Sequence, residues 1–197
     1  MPAIQILSDL HNEIAAFSPV HTAADVVVLA GDIHAGGQTV AWAKQAFPSQ
    51  PVVLVLGNHD YWDSTGIDGV LDRARAEAVG THVHLLENES VCIAGIRFLG
   101  CTLWTDYRSS GNQPLAMIDA QRRINDFRQI KRSGNESLIP LDIEYRHQQS
   151  RAWLQRELDD AHDGPTVVVT HHAPSLMSVP ERHRTEKNAH LMAAYAS

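Results

Sequence analysis

Val26-Val27-Val28-Leu29-Ala30-Gly31-Asp32-Ile33-His34 is the stretch that decides the fold. Five apolar residues in a row, three of them β-branched, read as a strand buried on both faces. Gly31 ends the run and places Asp32 and His34 just beyond its carboxyl end. The same arrangement recurs on either side. Ala3-Ile4-Gln5-Ile6-Leu7 runs into Ser8-Asp9-Leu10-His11, and Val52-Val53-Leu54-Val55-Leu56 runs into Gly57-Asn58-His59-Asp60. Far downstream, Thr166-Val167-Val168-Val169 leads into Thr170-His171-His172-Ala173-Pro174. Carboxylates, imidazoles and an amide oxygen are therefore expected together at one edge of one sheet, where open α/β sheets take their ligands.

Between these runs the period changes from strand to helix. Val40, Ala43 and Phe47 have helical spacing, closed by Pro48; Ile67, Val70, Leu71, Ala74 and Ala78 form a second stripe, ended by Gly80. Alternating strands and helices predict an α/β fold. Val83–Leu86, Val91–Gly95 and Arg97–Cys101 lie too close together for intervening helices, and predict an antiparallel second sheet. Residues 105–140 read as a long excursion over the active edge, with helix around Met117–Ile130. Asp142–His162 reads as a helix stopped by Asp163-Gly164-Pro165. No repeat or linker interrupts the chain, so residues 1–197 are expected to form one domain.

Composition narrows the class. With 44% hydrophobic and 20% charged residues the chain is an ordinary globular one. Its longest apolar runs are far too short to cross a bilayer, and no secretory signal opens it. A cytoplasmic location is expected, with Cys92 and Cys101 reduced. A formal net charge of −7 argues against a general nucleic-acid binder. It leaves an anionic substrate possible, because bound divalent ions reverse the sign locally. The basic residues Arg122, Arg123, Arg128, Lys131 and Arg132 form one local cluster, either a solvated face or a phosphate contact.

Of the twelve histidines, five lie in the four strand-end motifs. Asp9 and His11, two apart on an extended segment, point the same way and can share an ion. Asp32 has two carboxylate oxygens and can bridge two ions. Asn58 offers an amide oxygen, and His171 an imidazole nitrogen, to the second. Hard oxygen donors mixed with imidazole suit two divalent ions, with Mn, Fe and Zn all acceptable. Such a pair can clamp a phosphate and make a water acidic enough to attack it. His59, beside Asn58 and followed by Asp60, reads as a catalytic acid with an orienting carboxylate rather than as a ligand. His34 and His172 read as substrate-facing, with a structural role as the alternative.

These motifs, in this order, resemble the calcineurin-like metallophosphoesterase superfamily, whose pattern is D-x-H, GD, GNH plus an acid, a strand-end His, and G-H-x-H. Asp9/His11, Gly31/Asp32, Gly57-Asn58-His59-Asp60 and His171 match the first four elements, with Asp60 in place of the commoner Glu. Leu99–Asp106 and Ile124-Asn125-Asp126-Phe127 resemble connecting segments of a bacterial subgroup. The resemblance implies an αββα sandwich and hydrolysis of a small phosphomono- or phosphodiester. The G-H-x-H element has no counterpart; His183 and His190, the only later histidines, are not preceded by glycine. The sequence thus reads as shortened at its C-terminus. The resulting expectations are exposed sheet edges, self-association through them, and, as an alternative function, a weakly active or inactive metal-binding relative. A DNA-processing nuclease is disfavoured by the acidic charge.

Overall fold

The computed structural model describes residues 2–134, 136–184 and 189–197. Four strands, β1 (Ile4–Leu7), β2 (Val26–Ala30), β3 (Val52–Val55) and β4 (Val83–Leu85), form one sheet in chain order, and every pair in it is parallel. Side chains alternate across a strand, and here both faces are put to use. Val27, Leu29, Val52 and Leu54 pack under the helices α1 (Thr39–Ala46) and α2 (Gly66–Ala78). Val26, Val28, Val53 and Val55 face the other way, onto Phe98, Ile96 and Val169 of a second sheet. That double burial is why the runs are continuously apolar.

The second sheet holds β5 (Glu89–Ile93), β6 (Ile96–Cys101) and β7 (Thr166–Thr170), in that order. β5 and β6 form an antiparallel hairpin across Ala94-Gly95, both left-handed, whereas β7 runs parallel to β6. On the chain between them lie α3 (Gln113–Arg123), α4 (Asp126–Gln129) and α5 (Pro140–Asp159), and a short α6 (Ala189–Met192) comes last. α5 packs against β6. The result is two sheets face to face with helices outside, the expected αββα sandwich.

Three expectations need correction. Val83–Leu85 joins the first sheet as a parallel strand beside β3, and the second sheet, with β7 parallel to β6, is mixed, not antiparallel throughout. A three-residue strand has too few side chains to declare its sheet in sequence; the length of α2 before it, which allows a crossover, was the available signal. The expected helix around Met117–Ile130 starts earlier, because Asn112 accepts a hydrogen bond from the Leu115 N–H and Pro114 sits in the first turn. It breaks at Ile124, which is extended. Finally, the four motif-bearing strands belong to two sheets, not one. β1, β2 and β3 end beside one another, and β7 delivers His171 from across the sandwich.

Candidate metal centre

Beyond β1 the chain keeps hydrogen bonding to the exit of β2. The N–H groups of Asp9, His11 and Asn12 donate to the carbonyls of Gly31, Asp32 and Ile33 at 3.0, 3.0 and 3.1 Å. The register holds only because Asp9, His11 and Asp32 adopt left-handed backbone, with φ of 53°, 47° and 55°. Asp and His tolerate this region better than most residues, yet it still costs about 1–3 kcal/mol each. Such strain, gathered at three polar residues, marks the place where side-chain direction overrides backbone preference.

Two glycines make the close approach possible. A Cβ on Gly31 would collide with the His171 ring and come within 2.8 Å of the Gly57 Cα; one on Gly57 would collide with Asp32. β2 and β3 therefore leave the sheet in contact, with the His171 ring laid across both.

The donor atoms of Asp9, Asp32 and His171 all lie within 4.8 Å of one another, and so do those of His11, Asp32 and His59. Asp32 is common to both groups. Its Oδ1 lies 3.5 Å from His171 Nε2 and its Oδ2 3.7 Å from His11 Nε2, while the His59 N–H donates to Oδ1 at 2.8 Å. Burial raises the Asp32 carboxyl above its ordinary range, His171 opposes the rise, and the nearby Asp60 adds to it.

His171 Nδ1 sits 2.9 Å from the Ala30 carbonyl, which can only accept, so Nδ1 carries the proton and Nε2 keeps its lone pair. Asn58 Oδ1 is 3.1 Å from that Nε2. Its orientation is fixed from behind, because Asn58 Nδ2 donates to both oxygens of buried Asp126 at 3.0 and 3.1 Å. Carboxylate oxygens, an amide oxygen and an imidazole lone pair thus converge with their own N–H groups turned away. A cation is the natural partner for such a set, and a divalent ion fits its mixed oxygen and nitrogen donors.

His59 is held on two sides. Its ring stacks on Trp62 at 3.7 Å between centroids and 24° between planes. Its Nδ1 is 3.2 Å from Glu13 Oε1, and the same oxygen lies 3.1 Å from His11 Nδ1. Glu13 Oε2 accepts from the Ala35 N–H at 3.2 Å. Burial would raise the Glu13 carboxyl, but hydrogen bonds from its own backbone N–H, His11, Ala35 and His59 outweigh this and hold it at about 2.

Asp60 stands elsewhere than expected. It is fully buried and turned away from the His59 ring. Its Oδ2 accepts from the N–H groups of Asp32 and Gly57 at 2.8 and 2.7 Å; its Oδ1 accepts from the His34 N–H at 3.1 Å and meets the Thr39 hydroxyl. Asp60 thus ties the β2 exit to the β3 exit, and the carboxylate at His59 is that of Glu13. The substrate-facing reading of His34 and His172 also needs correction. His34 Nδ1 bonds its neighbour's carbonyl, that of Ala35, at 2.9 Å. His172 is buried against Trp104, and burial lowers its imidazole well below the ordinary range, so it is neutral.

The ligand side chains open into a cavity of about 380 Å³. Its far wall is made by Arg123, Ile124, Asn125 and Tyr195. Burial and the carboxylates of Asp126 and Asp32 keep the Tyr195 phenol protonated. Glu13 could have been found by extending the two-residue spacing of Asp9 and His11 one step further. Asp126 had no local signal, since its partner is 68 residues away.

With this geometry, a family model for calcineurin-like phosphoesterases matches residues 3–194. The chain belongs to that family. A 130-residue stretch is 24% identical to an uncharacterized protein of Acanthamoeba polyphaga mimivirus; the match covers 62% of this chain and 45% of that relative, so the chain spans under half its length. Among the described residues no helix is long and apolar enough to cross a membrane.

Proposed function

We propose that this chain hydrolyses a small phosphomono- or phosphodiester at a dinuclear centre of Mn, Fe or Zn. The observation that carries the reading is Asp32, whose two oxygens face different imidazoles, Oδ1 towards His171 Nε2 and Oδ2 towards His11 Nε2, with Asp9 beside the first. Asn58 Oδ1 completes the set. When bound, the two ions supply positive charge to the phosphoryl oxygens and a water acidic enough to attack phosphorus.

The remaining work falls to side chains. Asp126 turns the Asn58 oxygen inward, and the Ala30 carbonyl sets the His171 tautomer. Glu13 holds the Nδ1 proton of His59 and leaves the other ring nitrogen free to protonate the leaving oxygen. Trp62 keeps that ring from rotating. His59 is accordingly the catalytic acid, with Glu13 rather than Asp60 as its orienting group. The flanks of β1 and β7, where Ile6 and Val168 are exposed, support association of copies of the chain edge to edge.

The test is metal analysis with turnover of bis(p-nitrophenyl) phosphate in Mn²⁺, for the unaltered chain and Asp32→Ala. The unaltered chain should hold two ions and turn over; the variant should lose both ions and the activity. Two ions retained by Asp32→Ala would refute the bridging role.

A further inference from the structure

We infer that Arg123, with Asn125 and Tyr195, forms a second anion-binding wall in the same cavity, making the substrate a phosphoester that carries a further phosphoryl group. The inference rests on the reading above for the scissile phosphoryl only.

Arg123 closes α3, is exposed, and lines the cavity. Among the described residues no carboxylate lies within ion-pair distance of it, although Arg73, Arg75, Arg108, Arg132 and Arg146 all meet acids. Arg128, on the following helix α4, is already engaged. It donates to Asn125 Oδ1 at 3.0 Å and to the Arg122 carbonyl at 2.8 Å. The first contact occupies the Asn125 oxygen and leaves its NH₂ as the free end. Asn125 is itself anchored, since its carbonyl accepts from the N–H groups of Arg128 and Gln129 at 2.8 and 2.9 Å.

The cavity therefore has two unlike walls. One presents the carboxylates, imidazoles and amide oxygen of the metal centre. The other presents a guanidinium, an amide NH₂ and a phenol hydroxyl, while the Asp126 carboxylate beside them is taken up by Asn58 and Trp62. The ions that the first wall would hold would balance the charge of the scissile phosphoryl group, which leaves Arg123 for a further anionic group. At about 380 Å³ the space is in the range of small-molecule sites and exceeds what one phosphoryl group fills. Guanidinium forks match phosphoryl oxygens bidentately, and the long stem of an exposed arginine gives it reach. Arg123 also sits at the C-terminus of α3, where a cation offsets the helix dipole. That role alone would affect stability and give no selectivity between anions.

The measurement is calorimetric titration of the chain at one fixed free Mn²⁺ concentration, with inorganic phosphate and separately with methylenediphosphonate, which carries two phosphoryl groups and resists cleavage. The unaltered chain should bind the diphosphonate at least tenfold more tightly. Arg123→Ala should weaken diphosphonate about 10–100-fold, the range for a hydrogen bond to a charged group, and change phosphate less than about threefold, within ordinary non-additivity. Arg123→Lys should fall between, because an ammonium keeps the charge without the fork. Equal weakening of both anions, no weakening of either, or no preference in the unaltered chain would overturn the second wall. Turnover of bis(p-nitrophenyl) phosphate is followed in parallel. Its absence would remove the phosphoesterase reading, while the anion selectivity would still decide the role of Arg123.

Discussion

Removing the Asp60 carboxylate should destabilise the fold without touching the chemistry at His59. Asp60 is fully buried and answers three backbone N–H groups, those of Gly57, Asp32 and His34, besides the Thr39 hydroxyl. In Asp60→Ala all three N–H donors lose their partner. At about 1–3 kcal/mol for each orphaned buried donor the loss is about 3–9 kcal/mol. That is comparable with the whole stability of a domain, about 5–15 kcal/mol. Asp60→Asn is the graded version. Its amide can rotate so that the oxygen keeps Gly57 and Asp32 while the NH₂ turns to Thr39. Only the His34 N–H is then orphaned, and the cost should be about 1–3 kcal/mol. Urea unfolding of chelator-treated protein separates the three chains, because bound metal would add its own stabilisation to the folded state. Metal-loaded Asp60→Asn should keep the acid limb of its pH–rate profile where the unaltered chain has it. If Asp60→Ala lies within about 0.5 kcal/mol of the unaltered chain, a surface-like effect, the staple does not exist. If Asp60→Asn moves the acid limb, Asp60 and not Glu13 orients the catalytic imidazole.

Two further outcomes are expected. Glu13→Gln should retain both metals and lose about 10–100-fold in turnover, part of what a general acid contributes, with the acid limb of the pH–rate profile displaced. The same change bears on stability. Glu13 is held at about 2 against an ordinary 4.5, so its bonds stabilise the metal-free fold above pH 4.5 and are lost as pH falls towards 2. Acid titration of unfolding should be flatter over that window in Glu13→Gln, and an unchanged curve would remove the proposed bonds. Asp126→Ala should free the Asn58 amide to rotate and weaken metal binding about 10–100-fold, the usual effect of losing a group that orients a ligand; undiminished affinity by metal titration would show that Asn58 holds its orientation unaided.

The parts of the fold legible in sequence were those written in consecutive residues. Val26–Ala30 and Val52–Val55 could be read as doubly buried strands because both faces demand apolar side chains. The positions of Asp9, His11, Asp32, Asn58 and His171 followed from strand ends alone. What stayed hidden depends on where elements land in space. β4 has three residues and no pattern that names its neighbour. Asp60 follows His59 directly, yet the tight turn at His59–Tyr61 sends the two side chains apart. Adjacency in sequence does not bring the Asp60 carboxylate to the His59 ring. His34 carried the right residue type at the right distance from Asp32, but its ring bonds its own neighbour. Asp126, Arg123 and Tyr195 reach the site from the long excursion and the last residues, and no spacing rule links them to Asn58.

The divided origin of the ligands has a mechanical side. Asp9 and Asp32 leave one sheet and His171 leaves the other, and the two sheets otherwise meet mainly through apolar packing of Val26, Val28, Val53, Val55, Phe98 and Val169. Packing of that kind is non-directional. An ion gripped by Asp9, Asp32 and His171 would act as a rivet through both layers, added to hydrogen bonds such as those of His171 to the Ala30 carbonyl and of the Thr102 hydroxyl to the Leu56 carbonyl. Loading should then register most strongly as slowed amide exchange along β7, whose outer flank has no partner strand among the described residues, and least along β2 in the middle of its sheet. The centre would thus be a fastener of the sandwich as well as a place of reaction, and loss of metal would be felt first as slack between the two layers.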